Sequence, residues 1–208
     1  MKILAALLLA VPIAAHAGSF FQFEAGLGAS FASDADGIWT QHNVADNHER
    51  LNTLAYTAGV TGELYEKSNV SVRYHADYVY MGTQSASCMC VSDADYAAHN
   101  YSGPALAFTG SGHIQGVALT LEPGYTYHGT RFAAEAGPFI MWETWSEDTQ
   151  GLHIYSPSGP RLAYVVGARV ERGNFSLSYR YFTHFQKNSY QYPGLVRSMH
   201  TLSAVWRF

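Results

Sequence analysis

The last ten residues, MHTLSAVWRF, alternate between two faces: Leu202, Ala204, Trp206 and Phe208 on one, Thr201, Ser203, Val205 and Arg207 on the other. A period of two belongs to a β-strand, whose successive side chains point to opposite sides of a sheet. The first face is wholly apolar and closes on two aromatic residues. If that phase recurs upstream, the chain is committed to a sheet with one continuous greasy side. It recurs. Alternating segments long enough to cross a bilayer at a tilt are predicted at Phe20 to Phe31, Leu51 to Tyr65, Val70 to Thr83, His113 to Tyr127, Arg131 to Thr144, Arg161 to Glu171, Phe175 to Phe185 and Ser198 to Phe208.

The connections alternate in length. Tight turns follow the second, fourth and sixth segments, at Glu66-Lys67-Ser68-Asn69, His128-Gly129-Thr130 and Arg172-Gly173-Asn174. The others are longer, roughly 19, 29, 16 and 12 residues, and rich in Asp, Asn, Ser and Gly. Carrying the phase of Phe208 around the chain gives one face made of residues such as Phe23, Leu27, Tyr56, Val60, Tyr74, Tyr78, Val117, Leu121, Phe132, Ile140, Leu162, Val166, Leu177 and Tyr181. No ionisable group except Tyr falls on it. A soluble β-sandwich also alternates, but presents its polar face outward. Only 13% of residues are charged while 15 are Tyr, which suits an exterior in lipid with aromatic side chains at the membrane boundary. The expected fold is therefore all-β: an eight-stranded antiparallel up-and-down transmembrane barrel with short periplasmic turns and long extracellular loops.

The terminal strand resembles that of bacterial outer-membrane proteins, in which a C-terminal Phe or Trp preceded by apolar residues at every second position is the assembly signal. The resemblance implies that Trp206 and Phe208 address the chain to the barrel-assembly machinery and the outer membrane of a Gram-negative bacterium, among its lipids and lipopolysaccharide. Residues 1–17 agree with this: Lys2, an apolar run from Ile3 to Ala15, then Ala15-His16-Ala17, the small-x-small pattern of a signal peptide cleaved before Gly18. Roughly 13 apolar residues fall short of the ~20 that a spanning helix needs. Residues 18–208 are expected to form the barrel domain. Removing Lys2 leaves 11 Lys and Arg against 16 Asp and Glu, a net charge of −5, which offers no footprint for nucleic acid.

Inward positions carry the strand charges: Glu24, Glu63, Glu122 and Glu135 against Arg73, Arg169, Arg180 and Arg207. Eight strands leave room for side chains and little else, and buried charges must pair. This interior resembles the membrane domain of the outer-membrane protein A family and its relatives among small eight-stranded barrels, where inward Arg and Glu lock the lumen. An ion or proton path through His75, Asp77 and His184 is the alternative.

Two prolines interrupt adjacent strands, Pro123 in LEPGY and Pro138 in AGPFI, with Gly124 and Gly137 beside them. Residues whose numbers sum to about 259 are expected to face each other there, putting Pro138 beside Leu121. The pair reads as bulges in the wall, or as a lateral seam for a lipid tail, resembling the proline-flanked gaps of the lipid A palmitoyltransferase barrel. Tyr181-Phe182-Thr183-His184-Phe185-Gln186 faintly resembles the His-x-Ser region of lipid A deacylases. Here Gln186 stands at the Ser position, and no acid follows from Lys187 to Phe208. No catalytic set is assigned. Cys88-Met89-Cys90 falls in the longest loop and is expected to close a local disulfide, with pairing to another chain as the alternative. Ser33-Asp34-Ala35-Asp36-Gly37 and Ser92-Asp93-Ala94-Asp95 suggest loose divalent-cation contact at most, as do His42, Asp46 and His48. No cofactor or metal is expected.

The functional expectation is a monomeric, plugged outer-membrane barrel acting as a structural or surface-interaction protein, with a phage or host partner met through its loops. The alternatives are an enzyme acting on lipid A or phospholipid at the Pro123 and Pro138 seam, and a narrow channel.

Overall fold

The computed structural model describes residues 21–32, 48–50, 52–92, 95, 98–100, 102–149, 152–157, 159–183 and 198–208. The strands are β1 (Gln22–Ala32), β2 (His48–Arg50), β3 (Thr53–Lys67), β4 (Val70–Cys90), β5 (Leu106–Tyr127), β6 (Thr130–Thr149), β7 (Leu152–Pro157), β8 (Arg161–Arg172), β9 (Phe175–Thr183) and β10 (Met199–Arg207). Every pairing is antiparallel. The eight long strands run β1, β3, β4, β5, β6, β8, β9, β10 and close when Glu24 pairs with Arg207 and Ala32 with Met199. This is an eight-stranded β-barrel. Closure leaves the ring itself without an edge, the form in which a sheet satisfies all its backbone groups in lipid.

Three two-residue reversals join strands at one end: Ser68-Asn69, His128-Gly129 and Gly173-Asn174. Each holds a positive φ where the chain turns back, 55° at Ser68, 48° and 76° at His128 and Gly129, and 62° at Gly173. Such turns match the twist of the strands they join. The turn at 128–129 is one residue shorter than expected, so opposed residues on β5 and β6 sum to 257 and Leu121 faces Ala136, not Pro138.

Outward residues form an apolar band, Leu27, Leu54, Leu119, Leu121, Ile140, Leu162, Val166, Leu177 and Leu202 among them, all exposed. Aromatic residues flank it toward the turns (Tyr125, Tyr127, Phe132, Phe175, Trp206, Phe208), and Tyr56, Tyr164 and Tyr179 stand within it. On β5, Val117 to Tyr125 spans about 20 Å once strand tilt is allowed for, comparable to the apolar height of a barrel in a bilayer.

The strands overrun that band on one side only. β4 has 21 residues and β5 has 22, twice what a bilayer crossing takes. Gln84 to Cys90, Leu106 to Gly112 and Trp145 to Thr149, expected as loop, are strand. With β2 on β4 and β7 on β6 they make a five-stranded sheet, β2-β4-β5-β6-β7, standing beyond the ring. Their Ser, Gly and Thr residues mimic loop composition, but unbroken pairing with a neighbour holds them extended. A bulge between Tyr80 and Thr83, with φ 76° at Gly82, resets the phase of β4 on the way out. Odd-numbered residues face inward below it, even-numbered ones above. The displaced Met81 carbonyl accepts from Ser30 Oγ (2.6 Å), Thr53 Oγ1 (2.8 Å) and Gln84 Nε2 (2.9 Å), so the defect buries no unmet acceptor.

Candidate functional site

The interior has two storeys. Near the turns it is ionic. Arg169 donates to Glu24 at 2.8 Å and stands 3.1 Å from Glu122, while Arg131 forms an ion pair with Glu122. His75 bridges the same two acids, Nδ1 at 2.8 Å from Glu24 and Nε2 at 3.3 Å from Glu122. Arg180 donates Nε to Glu135 (2.7 Å) and Nη2 to Asp77 (2.6 Å). Nearer the turns, Glu171 takes both Arg73 and Arg207 at 2.7 Å. Glu63 is only 4.0 Å from Arg73 and its side chain is a third exposed, so it borders the network without entering it.

Of the eight predicted charges, seven are thus brought into direct pairs. Arg131, Asp77 and Glu171 complete the arrangement. Their signal was the alternation itself: the phase that turns Glu135, His75 and Arg169 inward turns these inward too. Arg131 and Glu171 sit at predicted strand ends, where that pattern is weakest. The expected balance of four against four becomes Glu24, Glu63, Asp77, Glu122, Glu135 and Glu171 against five arginines, with His75 inserted between two of the acids. Glu24, His75 and Asp77 also bring one ligand atom each within 4.8 Å, the spacing of a metal cluster. Two of the three are already engaged by Arg169 and Arg180, and a cation would have to displace those guanidinium groups. The residues therefore suit ion pairing better than metal. Of the path through His75, Asp77 and His184, the first two stand in this ionic network and His184 lies outside the described residues.

The upper storey corrects the expectation of a polar lumen. Val79, Met81, Ile114, Ala118, Phe139, Met141, Ala163, Val165, Phe182 and Met199 form a buried apolar cluster, with Phe139 and Phe182 edge to face at 4.9 Å. Cys88 and Cys90 are joined by a disulfide and belong to this cluster with Ala86 and Phe108. They lie on the inner face of β4 rather than in a loop, both buried, because the bulge at Gly82 turns even-numbered positions inward.

At the seam, Pro123 and Pro138 both point outward and are exposed. The β5–β6 ladder holds at Ala118–Phe139, Leu121–Ala136 and Gly124–Ala133, and is interrupted between them. The 257 register puts Pro123 opposite Ala134 and Pro138 opposite Leu119. Counting by twos from Tyr127–Thr130, both are positions at which a residue should donate across the hairpin, so each proline removes one bond from the same seam. Gly137 permits the close approach there: a Cβ would run into the Leu119 carbonyl. Gly124 lies against the Arg131 guanidinium, 2.6 Å from where its Cβ would stand. Behind the seam are Glu135, bonded by Thr120 Oγ1 (3.0 Å) and Arg180, and Glu122, bonded by Arg131.

The outward face of the projecting sheet carries two polar rows. Arg50, Ser85, Ser111 and Ser146 are successive cross-strand partners, as are His48, Ser87, Thr109 and Asp148. They line a cavity of about 400 Å³. His48 was expected in a loop beside His42 and Asp46; it is in β2, and the other two lie outside the described residues, as do residues 1–17, 33–37, 93–94 and Gln186.

No protein-family model and no curated protein matches the chain. Among solved structures, the attachment invasion locus protein Ail of Yersinia pestis, in complex with the heparin analogue sucrose octasulfate, is 13% identical over 90% of this chain and 97% of its own, with a TM-score of 0.44. Ail in a phospholipid bilayer nanodisc is 10% identical over 90% and 99%, with a TM-score of 0.32. A mutant porin of Rh. blastica is 7% identical over 90% and 99%, with a TM-score of 0.23. The eight-stranded ring rests on its own pairings, not on these overlaps.

Proposed function

We propose that the chain is an integral outer-membrane barrel whose lumen is plugged by its own side chains and whose projecting sheet is a surface for interaction outside the cell. The observation that carries this is the one-sided overrun of β4, β5 and β6 beyond an uncharged band comparable in height to the lipid-facing band of a membrane barrel. Strands of that length cost chain order, and nothing in membrane crossing requires them. The ionic storey and the apolar storey above it oppose the channel reading, since water would have to pass both. A test of placement is proteolysis of intact cells. Cleavage between Cys90 and Leu106, with the 128–129 turn protected until the envelope is opened, is the expected pattern; the reverse refutes the orientation.

The interrupted β5–β6 ladder favours one second reading, lateral entry of a lipid tail and acyl chemistry at the seam. Glu135 and Glu122 behind it are both committed to arginines, which argues against a free general base. Mass spectrometry of lipid A from cells with and without the protein decides the matter: an unchanged acylation pattern removes the enzyme.

A further inference from the structure

The cavity on the projecting sheet has a composition suited to one kind of ligand. Its floor is built from small hydroxyl side chains, Ser87 and Thr109 in one row, Ser85 and Ser111 in the next, each able to donate and accept. Arg50 and His48 stand on the β2 side and Asp148 on the β6 side. Across four strands these walls are about 14 Å apart, the length of a substituted disaccharide. Among the described residues the lining holds no Phe, Tyr or Trp and no large apolar side chain, so the chemistry these residues offer a ligand is hydrogen bonding and charge. A fork of guanidinium donors at one wall matches a phosphate, while a carboxylate at the other accepts from sugar hydroxyls.

Position narrows the source. The cavity opens on the outward side of the sheet, continuous with the lipid-facing side of the barrel. Descending β5 from it, Thr109 and Ser111 lead to His113 and then Gln115, which faces Tyr80 on β4 and Trp142 on β6 at the upper end of the apolar band. Four to six residues of tilted strand place the cavity floor about 10 to 15 Å above that row, the depth of lipid headgroups and their first sugars. We propose that this groove holds the phosphorylated sugar headgroup of a glycolipid in the outer leaflet of the membrane that contains the barrel. The proposal rests on the placement of the chain in the outer membrane and adds a ligand class to its interaction surface.

The folded full-length protein in phosphatidylcholine nanodiscs, titrated with bis-phosphorylated lipid A, tests it. Ser111→Trp fills the groove from an exposed position without touching the core, and Arg50→Gln removes the phosphate donor. About tenfold weaker binding is expected for each, and bis-phosphorylated lipid A should bind about tenfold tighter than its dephosphorylated form. Heat-modifiable gel mobility verifies that both variants keep the barrel. Variants that bind like the parent, with the barrel intact, overturn the proposal. So does an equal preference for the soluble phosphorylated glucosamine disaccharide, which would assign the groove to a free saccharide. Failure of the parent protein to insert into bilayers at all is a separate outcome, and refutes the membrane placement instead.

Discussion

Arg180→Met is the most exacting perturbation of the ionic storey. The guanidinium is 3% exposed and makes three charge-assisted bonds, Nε to Glu135 Oε1 at 2.7 Å, Nη2 to Glu135 Oε2 at 2.9 Å and Nη2 to Asp77 Oδ2 at 2.6 Å. Met fills much of the volume and removes only the charge and its donors. Glu135 keeps Thr120 Oγ1 at 3.0 Å, but Asp77 loses its ion pair while buried. Stranding buried carboxylates in this way costs about 3 to 5 kcal/mol, or two to four decades in the folding equilibrium. Urea titration of the barrel in thin-chain lipid vesicles, followed by tryptophan fluorescence, reads that loss directly. The companion variant Arg180→Met with Glu135→Leu and Asp77→Leu removes every charge of the cluster and should recover to within about 2 kcal/mol of the parent, because desolvating the ions then no longer opposes folding. A single variant that loses less than about 1 kcal/mol refutes the reasoning. A triple variant as unstable as the single one assigns the loss to packing instead.

Phe139→Ala should cost about 3 to 5 kcal/mol in the same titration, since Phe139 is fully buried against Phe182 in the upper storey; a loss below about 1 kcal/mol shows that storey to be loosely packed. Pro138→Ala restores a donor facing the Leu119 carbonyl, and hydrogen exchange should find the new amide as protected as its neighbours; rapid exchange there shows that the seam is held apart by something other than proline. Gly137→Val places a side chain against the Leu119 carbonyl and should abolish heat-modifiable folding, whereas Gly129→Ala at the open turn should retain it. Planar bilayers containing the parent protein should show no stable conductance steps; steps seen in the parent refute the plugged lumen.

Much of the architecture was legible from one strand. The phase of Phe208, propagated upstream, places the apolar band, the order of the eight staves and the inward side of Glu24, Glu135, Arg169 and Arg180, because a period of two is a local property of the chain. The charges themselves did not reveal their partners. Arg180 meets Asp77 across a separation of 103 residues, and Arg169 meets Glu24 across 145. Those distances are set by ring closure and stagger, which no local pattern encodes. The prolines were visible as defects, yet the residues opposite them depended on whether the turn after Tyr127 held two residues or three.

What the sequence determined by itself is therefore what alternation can express: strand, face, and the contrast between a lipid-like outside and a filled inside. The tertiary structure decided where strands stop. Gln84 to Cys90 and Leu106 to Gly112 have the composition of loops and become strand because each finds a partner. A single bulge at Met81 and Gly82 then reverses which side chains of Gln84 to Cys90 turn inward, burying Cys88 and Cys90 and setting Ser85 on the outer wall beside Ser111, whose own strand keeps its phase. A stretch of Ser and Gly carries no strong preference of its own, so hydrogen bonding to neighbours from distant parts of the chain supplies it.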